Sequence, residues 1–103
     1  MTSSVTNHIG DHTATLTING RFDFSIHRNF RANYEEILGS HKINEIAVDL
    51  QNVDYVDSSA LGMLLLLREK SMAENIKMRL INPKFAVRQV LEIANFEKLF
   101  SIT

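Results

Sequence analysis

The sequence contains no cysteine, and that single absence removes disulfides, thiol catalysis and cysteine-ligated metals together. It agrees with a reducing cytoplasm. An excess of either charge is missing too. Eleven basic residues against twelve acidic ones leave a formal net charge of −1, so the chain has neither the footprint of a nucleic-acid binder nor a basic patch for a membrane surface. Long apolar runs are absent: the longest, LGMLLLL at residues 61–67, is about a third of a membrane span. The opening MTSSVTNHIG lacks the basic start and apolar stretch of a secretory signal. No linker, repeat or low-complexity tract interrupts the chain. These absences predict a soluble, cytoplasmic protein with no nucleic-acid or membrane partner. A length of 103 residues predicts one domain, 1–103, whose core needs no covalent staple.

What is present is strand and helix in alternation. Ser4–Ile9 and Thr13–Ile18 read as strands, and in the second Ala14, Leu16 and Ile18 alternate with Thr13, Thr15 and Thr17, the period of a half-buried strand. The short connection Gly10-Asp11-His12 predicts an antiparallel hairpin, and Asn19-Gly20 reads as the end of the run. Ser25–Leu38 reads as a helix with Ile26, Phe30, Tyr34, Ile37 and Leu38 on one face, Ser25 as N-cap and Gly39 as its end. Glu45–Leu50, short and largely apolar, reads as an interior strand. A second helix over Ser58 to about Asn75 and a strand at Met78–Ile81 follow. Asn82 as cap and Pro83 in the first turn predict a third helix, with Val87, Val90, Leu91 and Ala94 facing inward. Leu99–Ile102 reads as a last strand. The order β-β-α-β-α-β-α-β predicts an α/β fold, an N-terminal β-hairpin followed by a mixed, mostly parallel sheet with helices packed on it. In such sheets the functional crevice lies beyond the carboxyl ends of the strands, which singles out the loops Asn19–Ser25 and Asn52–Ser59.

The second loop carries Asp57-Ser58-Ser59 at the start of a helix. The plain role is capping: Asp57 or Ser58 accepts a bond from the first-turn amides, worth about 1 kcal/mol. The same place is also an anion site, because free amides and the positive end of the helix dipole converge there. A phosphate on an exposed serine would then add roughly −1.5 to −2 charge to the surface and leave the fold intact. The helix that follows is apolar beyond one stripe. Leu61, Leu65 and Met72 read as its core face. Met63, Leu66 and Leu67 then read either as the edge of a wide core stripe or as an apolar patch beside the serines, suited to a partner protein.

At these residues the sequence resembles a known family. VDLQNVDYVDSSALGMLLLLREK, residues 48–70, is similar to the signature of the STAS domain, specifically of bacterial anti-sigma factor antagonists: an apolar strand, a short polar loop, then D-S-S/T-G/A-L-G and an apolar helix. NGRFDFSI, residues 19–26, resembles the family's G-x-x-D element, and INPKFAVRQVLEIANFEKLFSI, residues 81–102, its third helix and final strand. The resemblance implies a small cytoplasmic protein without catalysis or cofactor, which binds an anti-sigma factor that is usually also a serine kinase. It implies phosphorylation of Ser58, which ends the productive interaction, and reversal by a PP2C-type phosphatase. Asp23 and Asp57, with Ser59, would form the surroundings of the phosphorylated serine. Phe24, Ser58, Ser59, Met63, Leu66 and Leu67 would meet the partner. Ala60 stands where glycine is commonest, and the extra C-terminal helix of some relatives is expected to be missing. Related domains act in partner switches for stress, biofilm or motility without a sigma factor, and as constitutive subunits of transport complexes.

Other chemistries fit the residues less well. A hydrolase nucleophile elbow needs G-x-S-x-G, whereas the serines here are flanked by Val56-Asp57 and Ala60-Leu61. Of the four histidines, His8, His12, His27 and His41, only His27 falls near the first functional loop. His8 and His12 are separated by a turn, which breaks helical metal-ligand spacing. Asp23 and Asp57 together would suit one magnesium ion beside a phosphate, but the resemblance implies that they determine kinase docking and the orientation of Ser58, and their plain role is capping the helices that follow. No glycine-rich phosphate loop is present.

Overall fold

A computed structural model describes residues 3–40 and 43–103, the side chain of Ser40 excepted. His41 lies outside the described residues. Five strands, β1 (Ser4–Gly10), β2 (Thr13–Phe22), β3 (Glu45–Val56), β4 (Lys77–Ile81) and β5 (Ser101–Ile102), form one sheet in chain order. β1 runs antiparallel to β2, and β2 to β5 are parallel. The crossovers carry α1 (His27–Ser40), α2 (Ser58–Ala73) and α3 (Phe85–Ile93), with 3-10 turns at Phe24–Ile26 and Phe96–Lys98. This is the α/β architecture expected from the sequence.

The hairpin turns on Asp11 and His12, both at positive φ (48° and 69°), the two-residue geometry that matches the right-handed twist of the flanking strands. β2 buries Ala14, Leu16, Ile18 and Phe22 and leaves its threonines half-covered. It does not stop at Asn19-Gly20. Gly20 has φ 86°, and a Cβ there would stand 3.1 Å from Ser3 Oγ and 3.3 Å from Ser3 Cα. Glycine lets the strand continue to Phe22 under that close approach.

β3 is also longer than expected, passing Leu50 to reach Val56. Thr17 to Phe22 of β2 stands opposite Asp49 to Val56 of β3, so β3 holds two extra residues as bulges. Each bulge reverses which face the next side chain takes. Val48, Leu50, Val53 and Val56 therefore all reach the core, although their spacing follows no single period.

In α1 the expected face is the observed one: Ile26, Phe30, Tyr34 and Ile37 are buried, with Leu38 packed beside them. The helix runs through Gly39 to Ser40. In α2 only Leu61 of the expected face packs against the core. Ala60, Leu64, Leu67 and Ser71, spaced four, three and four, are buried, while Leu65 and Met72 are exposed. The helix is apolar on nearly every side over residues 60–67, so its sequence does not pick out a face; the fixed start at Asp57 sets the rotation. α2 closes at Ala73 in a Schellman motif. The Ile76 N–H donates to Ser71 O (2.8 Å) and the Asn75 N–H to Met72 O (3.1 Å), with Asn75 left-handed at φ 58°.

α3 begins at Phe85, later than expected. Asn82 is left-handed (φ 58°), which disqualifies it as an N-cap, and its side chain donates to Asp49 Oδ1 at 3.4 Å. Pro83 precedes the helix, and Lys84 occupies the cap position without a side-chain bond. Val87 and Leu91 are buried, with Val90 and Ala94 against the core, as expected. β5 is shortened to Ser101–Ile102 by the turn at Phe96–Lys98.

Candidate functional site

β2 and β3 end side by side, with Phe22 opposite Val56. The next residues, Asp23 and Asp57, thus open two neighbouring connections at the carboxyl ends of parallel strands. Asp23 caps the turn Phe24–Ile26. Its Oδ1 accepts the Ser25 amide (3.0 Å) and the Ser25 hydroxyl (2.5 Å). Its Oδ2 faces Arg21 Nε at 3.2 Å. The Ser25 hydroxyl and then the Ser25 amide, with the Arg21 guanidinium adding less, hold the Asp23 carboxyl below its ordinary range against the opposing effect of burial. Ser25, expected to cap α1, is instead the donor to a cap two residues earlier.

Asp57 is the one residue between β3 and α2. Its backbone is extended (φ −120°, ψ −175°), and its Oδ1 accepts both the Ala60 amide (3.0 Å) and the Ser59 hydroxyl (2.6 Å). Asp57 is thus the N-cap. Ser58, the first residue of α2, is exposed, and among the described residues its hydroxyl has no hydrogen-bond partner. The two adjacent serines differ in kind: one is tied to the cap and the other faces solvent.

Around Ser58 the surface is partly apolar. Phe24 is 63% exposed and stacks on the His27 ring (4.1 Å, 11°). His27 Nδ1 lies 2.9 Å from the Phe24 carbonyl, which can only accept, so Nδ1 carries the proton. Nε2 is then left as an acceptor, and among the described residues no serine is hydrogen-bonded to it. His8 and His12 sit on the hairpin, at the far end of β2. Among the described residues no group of three or more histidine or acidic side chains is placed to hold a metal.

Leu66 is 45% exposed and Met63 half-buried. With Phe30, Arg31, Tyr34 and His27 they line a cavity of about 130 Å³ between α1 and α2. The Tyr34 hydroxyl is buried without a partner, and burial raises its pKa above the usual 10.0. Leu67, expected at the partner surface, is 0% exposed. It belongs to the inner face of α2, not to its exposed surface.

The family model described as STAS domain matches residues 4–103. The chain belongs to the STAS domain family. It is 48% identical over 89 residues, 86% of each chain, to a STAS-domain containing protein of Pseudomonas aeruginosa (strain UCBPP-PA14). Its fold is similar to that of the anti-sigma factor antagonist SpoIIAA in its unphosphorylated form, with TM-score 0.82 and 18% identity over 97% of this chain and 88% of that one. It is also similar to the phosphorylated form of SpoIIAA, described as a Bacillus cell fate determinant, with TM-score 0.75 and 17% identity over 97% and 91% of the two chains.

Two features of this STAS domain escaped the sequence reading. Arg21, besides meeting Asp23, lies 3.9 Å over the Tyr55 ring. The pair follows from the register Arg21 opposite Tyr55, which the bulges in β3 conceal. Gly62 is exposed one turn beyond Ser58, and a Cβ there would meet nothing within 4 Å. A glycine inside a helix with no packing reason was the available signal.

Proposed function

We propose that this STAS domain is an anti-sigma factor antagonist, an interaction module of the cytoplasm with no catalysis of its own, switched by phosphorylation of Ser58. Residues 1–103 act as one domain. Unmodified, Ser58 and Ser59 with Phe24, Met63 and Leu66 present a surface to an anti-sigma factor that is also a serine kinase. The observation that carries this reading is the contrast between the serines: Ser58 is exposed and its hydroxyl has no partner among the described residues, while the Ser59 hydroxyl is bound to Asp57. A kinase supplied with ATP can reach the first without dismantling the cap. The phosphate then stands beside the carboxylates of Asp57 and, in the adjoining connection, Asp23. The helix start tolerates the anion within the chain, but a partner that fits the neutral surface meets new charge, bulk and desolvation. A loss of about 2–3 kcal/mol changes affinity roughly 30- to 150-fold. A PP2C-type phosphatase resets the surface.

The test uses wild type, Ser58→Ala and Ser58→Asp as baits in the host lysate. A kinase-type ATPase retained by the first two and lost with the third is the expected result. The aspartate variant should melt close to wild type. Equal recovery of the same partners on all three baits rejects the switch, and an unfolded Ser58→Asp rejects the surface mechanism.

A further inference from the structure

A second surface lies at the other end of α2. The start of β3, the amino ends of β4 and β5 and the last turns of α2 border an open groove of about 650 Å³. Its walls carry three cations, Arg68, Lys77 and Arg79, and one carboxylate, Glu45. Glu45 is already engaged, its Oε1 accepting from Arg79 Nε at 3.0 Å. Arg68 donates Nε–H to the Leu99 carbonyl at 3.1 Å, which fixes its guanidinium and leaves the terminal nitrogens to donate elsewhere. The positive excess is local, since the whole chain carries −1. Between the cations the lining is apolar: Met72 is 58% and Leu99 42% exposed, and Met78 lies with them. The Lys77 amide is already paired with the Asn44 carbonyl at 2.9 Å, so the groove offers a partner side chains and not a free strand edge.

We propose that this groove docks an acidic segment of a partner protein that also carries apolar side chains. Its carboxylates meet Arg68, Lys77 and Arg79, and its apolar side chains rest on Met72, Met78 and Leu99. Methionine adapts to such contacts without a preset shape. The sixteen residues of α2 span about 24 Å, so Ser58 and the groove occupy opposite ends of one helix and both surfaces can be engaged together. The groove does not depend on the phosphorylation reading.

The test titrates the full chain into a fluorescein-labelled synthetic peptide of about ten residues alternating glutamate and leucine, with a lysine–leucine peptide as control. Amide spectra of the isotope-labelled chain locate the site. Saturable binding of the acidic peptide alone is expected, with a Kd below about 100 μM at low salt. Amide shifts should cluster at Arg68, Met72, Lys77 to Arg79 and Leu99. Lys77→Glu should weaken binding at least about tenfold, Met72→Asp should weaken it independently, and Ser58→Asp should bind as wild type does. Thermal melts confirm that each variant is folded. Equal binding of both peptides, shifts centred on Ser58, or no binding of either peptide up to about 1 mM would overturn the proposal. So would capture by phosphatidylglycerol vesicles in place of the acidic peptide.

Discussion

Ser59 donates its hydroxyl to Asp57 Oδ1 across 2.6 Å, and the Ala60 amide donates to the same oxygen at 3.0 Å. One carboxylate oxygen thereby fixes the start of α2 and occupies one of two adjacent serines. Ser58 is left to solvent at a helix start whose geometry is held by other groups. A modification at Ser58 is therefore expected to act on the surface and not on the fold.

The cap itself is measurable. Replacing an N-cap aspartate by alanine costs about 1 kcal/mol, whereas asparagine caps nearly as well. For a chain of this size that loss lowers Tm by about 4–8 °C. Asp57→Ala should show the drop and Asp57→Asn little of it in circular-dichroism melts. An alanine variant that melts with wild type would mean that packing alone holds the start of α2.

Leu66 and Leu67 are adjacent and should behave oppositely. Leu67 is fully buried and Leu66 is 45% exposed. Leu67→Ala should destabilise by about 2–5 kcal/mol through lost burial and a cavity. Leu66→Ala should stay within about 0.5 kcal/mol of wild type while reducing partner capture. Urea unfolding of both variants, followed by the pull-down on Leu66→Ala, separates core from surface. A stable Leu67→Ala would contradict the inner face assigned to α2.

How far the sequence revealed this molecule depended on periodicity. β2 shows because its apolar residues alternate without interruption, and α1 because Phe30, Tyr34 and Ile37 keep helical spacing. The second half of β3 stays hidden because one bulge puts Val53 out of phase with Val48 and Leu50 and a second brings Val56 back. In α2 the face is illegible for the opposite reason: residues 60–67 are so uniformly apolar that several faces look equally buried. The site's position was legible, since strand-to-helix junctions with aspartate and serine advertise caps. The division of labour was not. Which of Asp57 and Ser58 caps, and which serine is free, is decided by side-chain geometry that spacing does not encode.

Asp23 should leave a signature in acid. Its carboxyl is held below the ordinary 3.8 mainly by the Ser25 hydroxyl. The folded chain therefore keeps the carboxylate at a pH where the unfolded chain has begun to protonate it. The resulting stability is present above the unfolded value and is lost as pH falls through the lower folded value. Asp23→Asn never has it, so the Tm difference between wild type and variant should shrink as pH drops below about 4. Carbon-detected titration of the Asp23 carboxyl should show its midpoint below 3.8; a midpoint at or above that value would remove the Ser25 bonds from the account.

Gly62 sets stability against recognition. A glycine in a helix interior costs roughly 0.5–1 kcal/mol relative to alanine, and nothing within the molecule requires it, since the added Cβ meets no atom within 4 Å. It lies one turn from Ser58 on an exposed part of α2, where a bare backbone lets a partner approach closely. Gly62→Ala should therefore raise stability by about 0.5–1 kcal/mol in urea unfolding and weaken capture of the partner that Ser58→Ala retains. A variant that is more stable and binds equally well would show that the partner does not close on this turn, and would move the contact towards Phe24 and the connection after β2.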